Sequence, residues 1–113
     1  NSQVLLYGQT SMGTSADTPP NYNKSLMPIA WLQEYEMGGG KVSRILTTTM
    51  GASVDLKSED LRRLLVNGCY WGLKMEQLIP EKNNVDIPGI YSPTMFGFNA
   101  FRKGLRPADF ELK

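Results

Sequence analysis

The sequence predicts a small α/β domain with a short sheet, a β-hairpin and one main helix. Two strand-like runs flank a triple glycine between residues 28 and 50, and an amphipathic pattern continues to Leu73. Apolar residues recur at a period near two in the strands and near 3.6 in the helix. We therefore expect most of the regular structure in one strand–hairpin–strand–helix unit.

The chain opens with a short apolar run, Val4–Tyr7, that predicts a first strand. Four apolar residues in a row are typical of a strand that is buried on both faces or lies at a sheet edge. Residues 9–24 are polar and contain Pro19 and Pro20, so they predict a loop.

The hairpin has the clearest local signals. Residues Ile29–Glu36 alternate imperfectly between apolar and polar, and Lys41–Met50 is rich in β-branched side chains. Between them, Gly38–Gly40 supplies the positive φ angles that a tight reversal needs. We expect one sheet face to be buried and the other only partly so.

The helix is predicted to begin after Ser58, which is a good N-cap residue. Glu59 and Asp60 then place negative charge on the first turn, where the helix dipole favours it. Gly68 and Gly72 predict a close approach of this helix to the sheet, because glycine otherwise costs a helix about 1 kcal/mol. The predicted buried face consists of Leu61, Leu64, Leu65, Cys69 and Leu73.

Residues after Pro80 differ in character from the rest. Prolines and glycines alternate with aromatic residues in Ile90–Phe101, which predicts an extended tail that packs on the domain or on a partner. A turn of helix is expected at Arg106–Phe110, with Pro107 tolerated near its start. We therefore divide the chain into residues 1–80 and an aromatic tail, residues 81–113.

Composition excludes several classes of function. The 113 residues carry a net charge of +1, and the basic residues are scattered. Nucleic-acid binding is not expected, because it typically needs a basic stripe. No apolar run is long enough for a transmembrane helix, so no membrane association is expected.

The chain has one cysteine and no histidine. An internal disulfide, a Ser-His-Asp triad, a Cys-His pair and a His-bearing zinc site are therefore excluded within it. Cys69 lies within the predicted helix, where no base can activate it, so we interpret it as a small buried apolar residue. We expect no metal site and no cofactor.

The loop after the third strand is the candidate binding site. Ligands of open α/β sheets bind outside the carboxyl ends of strands, and the hydroxyls of Thr48, Thr49 and Ser53 lie there in the sequence. These hydroxyls and the free backbone amides suit a sugar or an anion. An ordinary glycine turn after a β-branched strand is the alternative interpretation.

A carboxylate near this loop is the candidate catalytic group. Two carboxylates can serve as acid and base, as in glycosidases, and Asp55 is the acid closest to the loop in sequence. Plain solvated charge is the alternative. The other nearby acids are Glu34, Glu36, Glu59 and Asp60.

The sequence of the central segment resembles the C-terminal half of the domain of the ThuA-like (trehalose-utilisation-like) family. The tail resembles an extension that one branch of this family carries. The resemblance covers nearly the whole chain. It rests on MPIAWLQEY, GGGKVSRILTTTMGASVDL, EDLRRLLVNGCYWGL and the tail segment from IPEKNNVD to PADFEL.

This resemblance implies a class I glutamine-amidotransferase-like fold, a flavodoxin-type α/β sandwich. It also implies a link to carbohydrate metabolism, since some family members are assigned to the glycosyl hydrolases. Many members carry a glycine–histidine pair after the third strand, whereas this chain has Gly51 and Ala52, so no role of that histidine is carried over.

A whole ThuA-like domain is about twice as long, so the resemblance implies half a domain in a longer protein. We expect the isolated chain to be inactive. A half-domain exposes sheet faces and edges, which predicts a homodimer in which the partner or the aromatic tail covers the sheet. The sequence does not determine the cellular location, and a periplasmic or extracellular location is expected if the parent protein is exported.

Overall fold

A computed structural model describes residues 1–15 and 17–111. It shows a small mixed α/β unit, as the sequence predicts at this coarse level. The sheet has three antiparallel strands in the order β1–β2–β3, and one α-helix follows. The elements are β1 (Ser2–Gly8), β2 (Met27–Met37), β3 (Lys41–Thr48) and α1 (Glu59–Gly72). Three 3₁₀ turns lie at Asp55–Lys57, Glu76–Leu78 and Pro107–Phe110.

The β2–β3 hairpin confirms the strongest prediction from the sequence. Gly39 and Gly40 have φ angles of 82° and 75°, which side chains with a Cβ rarely adopt. This turn sets the register, in which Leu32 faces Leu46 and Glu34 faces Arg44. The strand β1 pairs only with β2 and is an edge strand with two register shifts.

Helix α1 begins where its cap signal places it. The hydroxyl of Ser58 accepts a hydrogen bond from the Leu61 backbone N–H. The helix packs on the sheet face that carries Leu32 and Leu46, with Gly68 at the closest approach. A Cβ on Gly68 would clash with the Cδ2 methyl of Leu46.

The predicted buried face of α1 is partly wrong. Leu61 is buried and Leu64 lines the groove against the sheet, but Cys69 is exposed and Leu73 is 70% exposed. A Cβ on Gly72 would meet nothing within 4 Å, so this glycine makes no close approach to the sheet. Apolar residues occupy two sides of the helix, and spacing alone does not tell which side meets the sheet.

The described residues bury little. Only Ala30, Leu61 and Val85 are buried apolar residues in this part of the chain. The accessible surface is 9682 Å², about 3,500 Å² more than the roughly 6,200 Å² of a compact protein of this mass. The radius of gyration is 17.8 Å, whereas a compact chain of this length has one near 13 Å.

The second face of the sheet is only partly covered, since Ile29 and Trp31 are half-buried whereas Tyr35 and Ile45 are exposed. Strand alternation places Ile29, Trp31 and Tyr35 on the side opposite α1, with Ile45 beside them on β3. In residues 1–15 and 17–111, no helix or strand packs on this side. We call these four residues the outer sheet face; Tyr35 is 59% and Ile45 is 44% exposed.

The two helix glycines give a matched test of the packing. Gly72→Ala should raise the free energy of unfolding by about 0.5–1 kcal/mol, because alanine favours the helix and the site is open. In Gly68→Ala the same gain is opposed by a clash with Leu46, which typically costs about 1–3 kcal/mol. Urea denaturation should therefore rank Gly72→Ala above Gly68→Ala, and the reverse order would contradict this packing.

Candidate functional site

Asp55 closes the loop between β3 and α1. Its Oδ2 accepts hydrogen bonds from the backbone N–H groups of Gly51 at 3.1 Å and Ala52 at 2.9 Å. The Asp55 N–H in turn donates to the Ala52 carbonyl at 2.9 Å. The carboxylate is half-buried, and its Oδ1 has no hydrogen-bond partner among the described residues. One carboxylate oxygen is thus held by the loop.

The two threonines hold the end of β3. Thr48 Oγ1 accepts a hydrogen bond from the Met50 N–H at 3.1 Å, and Thr48 is half-buried. The Thr49 N–H donates to the Ile29 carbonyl at 2.9 Å, which extends the sheet ladder by one bond. Thr49 itself is exposed. Both threonines therefore have a structural role that does not preclude ligand contact.

Ser53 is the point where the aromatic tail crosses this loop. The Tyr91 hydroxyl donates to the Ser53 carbonyl at 2.6 Å, and the Ser53 hydroxyl donates to the Thr94 carbonyl at 3.4 Å. The sequence indicated a packing tail but gave no signal for this contact. Ile90 and Phe98 are 98% and 90% exposed, so their packing on a partner stays a prediction.

Thr48 ends β3, and Thr49, Ser53 and Asp55 follow it before α1, but within the described residues no groove encloses these four. The principal grooves on the described surface are lined by other residues. This loop is an open polar ledge at the end of β3, which can bind a ligand fully only if another surface closes over it.

The other acids near the loop do not join Asp55. Glu34 forms an ion pair with Arg44 at 3.0 Å. Arg44 lies four residues before Thr48 on β3, so this pair is remote from the loop. Glu59 and Asp60 both pair with Arg63. Within the described residues, no cluster of three or more acidic or cysteine side chains is arranged to hold a metal ion.

Arg44 forms a second polar cluster that sequence reasoning missed. Its guanidinium contacts Glu34 at 3.0 Å, Glu76 at 2.9 Å and the Trp71 carbonyl at 2.9 Å, and it lies 5.0 Å from the centre of the Trp71 ring. Arg44 therefore ties both hairpin strands to the end of α1. The hairpin contained a signal for part of this cluster, because Glu34 and Arg44 are equidistant from Gly39.

These contacts shift the ionisation of the cluster. Hydrogen bonding to its own backbone N–H, and then to Arg44, lowers the pKa of Glu76 below its usual value. The hydrogen bond that the Arg44 guanidinium donates to Glu76 is the largest cause that raises the pKa of Arg44. A groove of about 230 Å³ runs beside the cluster. Its lining includes Gln3, Leu32, Gln33, Glu34 and Trp71.

The lowered pKa of Glu76 gives stability a defined pH dependence. Its contribution is fully present above the unfolded-state pKa, near 4.5, and is lost as pH falls through the lower folded-state pKa. Glu76→Gln should therefore lower the denaturation midpoint at neutral pH, and the difference from wild type should shrink toward pH 3.

Glu81→Gln is the control for this experiment, because Glu81 is exposed and has no ion pair among the described residues. It should leave the midpoint unchanged at both pH values. Equal midpoints of wild type and Glu76→Gln at neutral pH would show that the Arg44 cluster does not hold the helix to the sheet.

Comparison with known proteins identifies no relative of this chain. In residues 1–15 and 17–111, no helix combines the length and apolar character that crossing a bilayer requires. No protein-family model matches the chain, and neither a curated protein nor a solved structure is detectably similar to it.

Proposed function

We propose that the chain is the closing part of a ThuA-like domain, a flavodoxin-type α/β sandwich that acts on a sugar or keto-sugar in the complete protein. By complete protein we mean the natural polypeptide whose sequence includes this chain. The observation that carries the proposal is that no helix or strand of the described residues packs on the outer sheet face. A sheet is stable when both apolar faces are packed, and here α1 covers only one of them.

The size of the uncovered area supports this proposal. The chain buries about half of the surface that its unfolded form exposes, whereas a domain of this length typically buries about two-thirds. The outer sheet face includes Trp31, a large aromatic residue that proteins typically bury to a high degree. A second layer on this face would raise the buried fraction of the chain toward that of an ordinary domain.

The loop with Asp55 supplies the proposed chemistry. The backbone amides of Gly51 and Ala52 fix one carboxylate oxygen, which leaves Oδ1 to accept a proton or a hydrogen bond from a sugar hydroxyl. The hydroxyls of Thr49 and Ser53 lie near Asp55 in the sequence and can form hydrogen bonds with the other hydroxyl groups of a sugar. Asp55 is thus the proposed acid/base, and the hydroxyls are the proposed substrate contacts.

A second catalytic group has to come from elsewhere. Acid/base hydrolysis of a glycosidic bond uses two carboxylates, and Glu34, Glu59 and Asp60 are held in separate ion pairs. We therefore propose that the surface that closes over the loop also supplies the second group. The isolated chain is expected to be inactive for that reason.

Asp55→Asn in the complete protein tests the chemistry. Asparagine keeps the shape and one acceptor oxygen but cannot take the proton, so kcat/KM on the best substrate of a sugar and keto-sugar panel should fall about a hundredfold or more. Asp60→Asn is the control, because its side chain is 95% exposed, and it should change kcat/KM little. Full activity of Asp55→Asn would remove Asp55 from the mechanism.

Ile45→Asn tests the proposed covering of the outer sheet face. In the complete protein it should lower the free energy of unfolding by about 2–4 kcal/mol, because a buried apolar side chain is replaced by an unpaired amide. In the isolated chain it should cost little, since Ile45 is 44% exposed there. Val42→Asn, on the same strand, is the control and should cost little in both. Equal costs of the two changes in the complete protein would contradict the proposal.

A non-catalytic assembly module is the second candidate function. The observation that favours it is that Thr48, Ser53 and Asp55 already use polar groups in internal hydrogen bonds. In this case the outer sheet face and the tail bind a protein partner and no sugar is handled. Sugar titration of the complete protein, followed by NMR at the Asp55 loop, separates the two, since only the first predicts saturable shifts there.

A further inference from the structure

Two side chains from other parts of the chain hold the loop on either side of Asp55. Before Asp55, the Ser53 carbonyl accepts a hydrogen bond from the Tyr91 hydroxyl at 2.6 Å. After it, the Leu56 carbonyl accepts one from the Arg62 guanidinium at 2.7 Å. We propose that Arg62 and Tyr91 are positioning residues, which fix the backbone turn that presents the Asp55 carboxylate.

Arg62 fits this role through three hydrogen bonds. Its Nη1 donates to the Leu56 carbonyl at 2.7 Å and to the Lys57 carbonyl at 2.9 Å. These two carbonyls end the 3₁₀ turn that begins at Asp55, and among the described residues no backbone N–H donates to either of them. The Arg62 Nε donates to the Val85 carbonyl at 2.7 Å. Arg62 therefore satisfies the carbonyls that the turn leaves free, and it is half-buried there.

The segment around Val85 gives Arg62 a fixed anchor. Val85 is 8% exposed and is one of the few buried apolar residues among those described. Two residues before it, the Asn83 Nδ2 donates to the Asn67 Oδ1 on α1 at 3.2 Å. The planar guanidinium directs its N–H groups along fixed directions, so holding one side of it also orients the other. The Asp55 turn is thus tied to a buried part of the structure.

Tyr91 holds the other side of the loop. The chain bends at Gly89, which has a φ angle of 86°, and Tyr91 then lies against the loop. Tyr91 is 37% exposed, whereas Ile90 beside it is 98% exposed. The Ser53 hydroxyl donates back to the Thr94 carbonyl at 3.4 Å. The start of the aromatic tail is therefore part of the structure around the candidate site.

Asp55 lies between these two held points. Its Oδ2 is bound by the Gly51 and Ala52 N–H groups, so the direction of the carboxylate follows the path of the loop. A misplacement of about 1 Å can cost an enzyme about a hundredfold in rate. The consequence for catalysis rests on the proposed function, whereas the effect on the geometry of the loop does not.

The test uses Arg62→Lys and Tyr91→Phe in the complete protein. Lysine keeps the charge but loses the fork of donors, and phenylalanine removes only the hydroxyl. In ¹H–¹⁵N NMR spectra, the Gly51 and Ala52 amide signals should move toward random-coil positions in both variants. Each variant should lower kcat about fivefold or more, the equivalent of one hydrogen bond, and leave KM nearly unchanged.

Arg63→Lys and Tyr22→Phe are the matched controls. Arg63 is adjacent to Arg62 in sequence, but it pairs with Glu59 and Asp60 on α1. Tyr22 is 84% exposed. Both controls should leave kcat and the amide signals of the Asp55 loop as they are in the wild type.

Unchanged Gly51 and Ala52 signals in both variants would overturn the inference. So would equal shifts of the hairpin amides, which indicate a merely structural role, or a raised KM with unchanged kcat. Tyr91→Phe keeps the test decisive if Arg62→Lys folds poorly, because it alters one partly exposed hydroxyl. Shifted loop signals together with full activity of Asp55→Asn would support the positioning and contradict only the acid/base role of Asp55.

Discussion

The packing of α1 on the β2–β3 hairpin determines how the other parts of this unit are arranged. Gly68 lets the helix backbone approach Leu46, and Arg44 then joins both hairpin strands to the end of the helix. This contact sets where the Asp55 loop lies and which strip of α1 faces away from the sheet. It also covers only one face of the sheet and leaves the other partly exposed, with Tyr35 and Ile45 accessible and Trp31 half-buried.

Local signals in the sequence predicted the local structure. The triple glycine fixed the hairpin, and Ser58 with two following acids fixed the start of α1, because turns and caps depend on a few adjacent residues. The side of the helix that meets the sheet depends on distant residues instead. Cys69 and Leu73 belong to an apolar strip as regular as the one that packs on Leu46, and no local rule separates the two strips.

The candidate site was predictable only in part for the same reason. Its position after β3 followed from the rule that ligands bind beyond strand ends. Asp55 accepts hydrogen bonds from the Gly51 and Ala52 amides, and the Ser53 carbonyl accepts one from Tyr91. These bonds depend on the path of the loop and the tail. The Arg44 cluster joins Glu34 across the hairpin with Glu76 far along the chain, and only the hairpin half of it was visible in the sequence.

We propose that this unit is one layer and that another layer packs on its outer sheet face. Hydroxyl-radical footprinting read by mass spectrometry tests it most directly, because Trp31 lies on that face whereas Trp71 lies against Arg44 on the side of the helix. Oxidation of Trp31 should fall several-fold from the isolated chain to the complete protein, while that of Trp71 stays constant. Equal oxidation of Trp31 in both would contradict the claim.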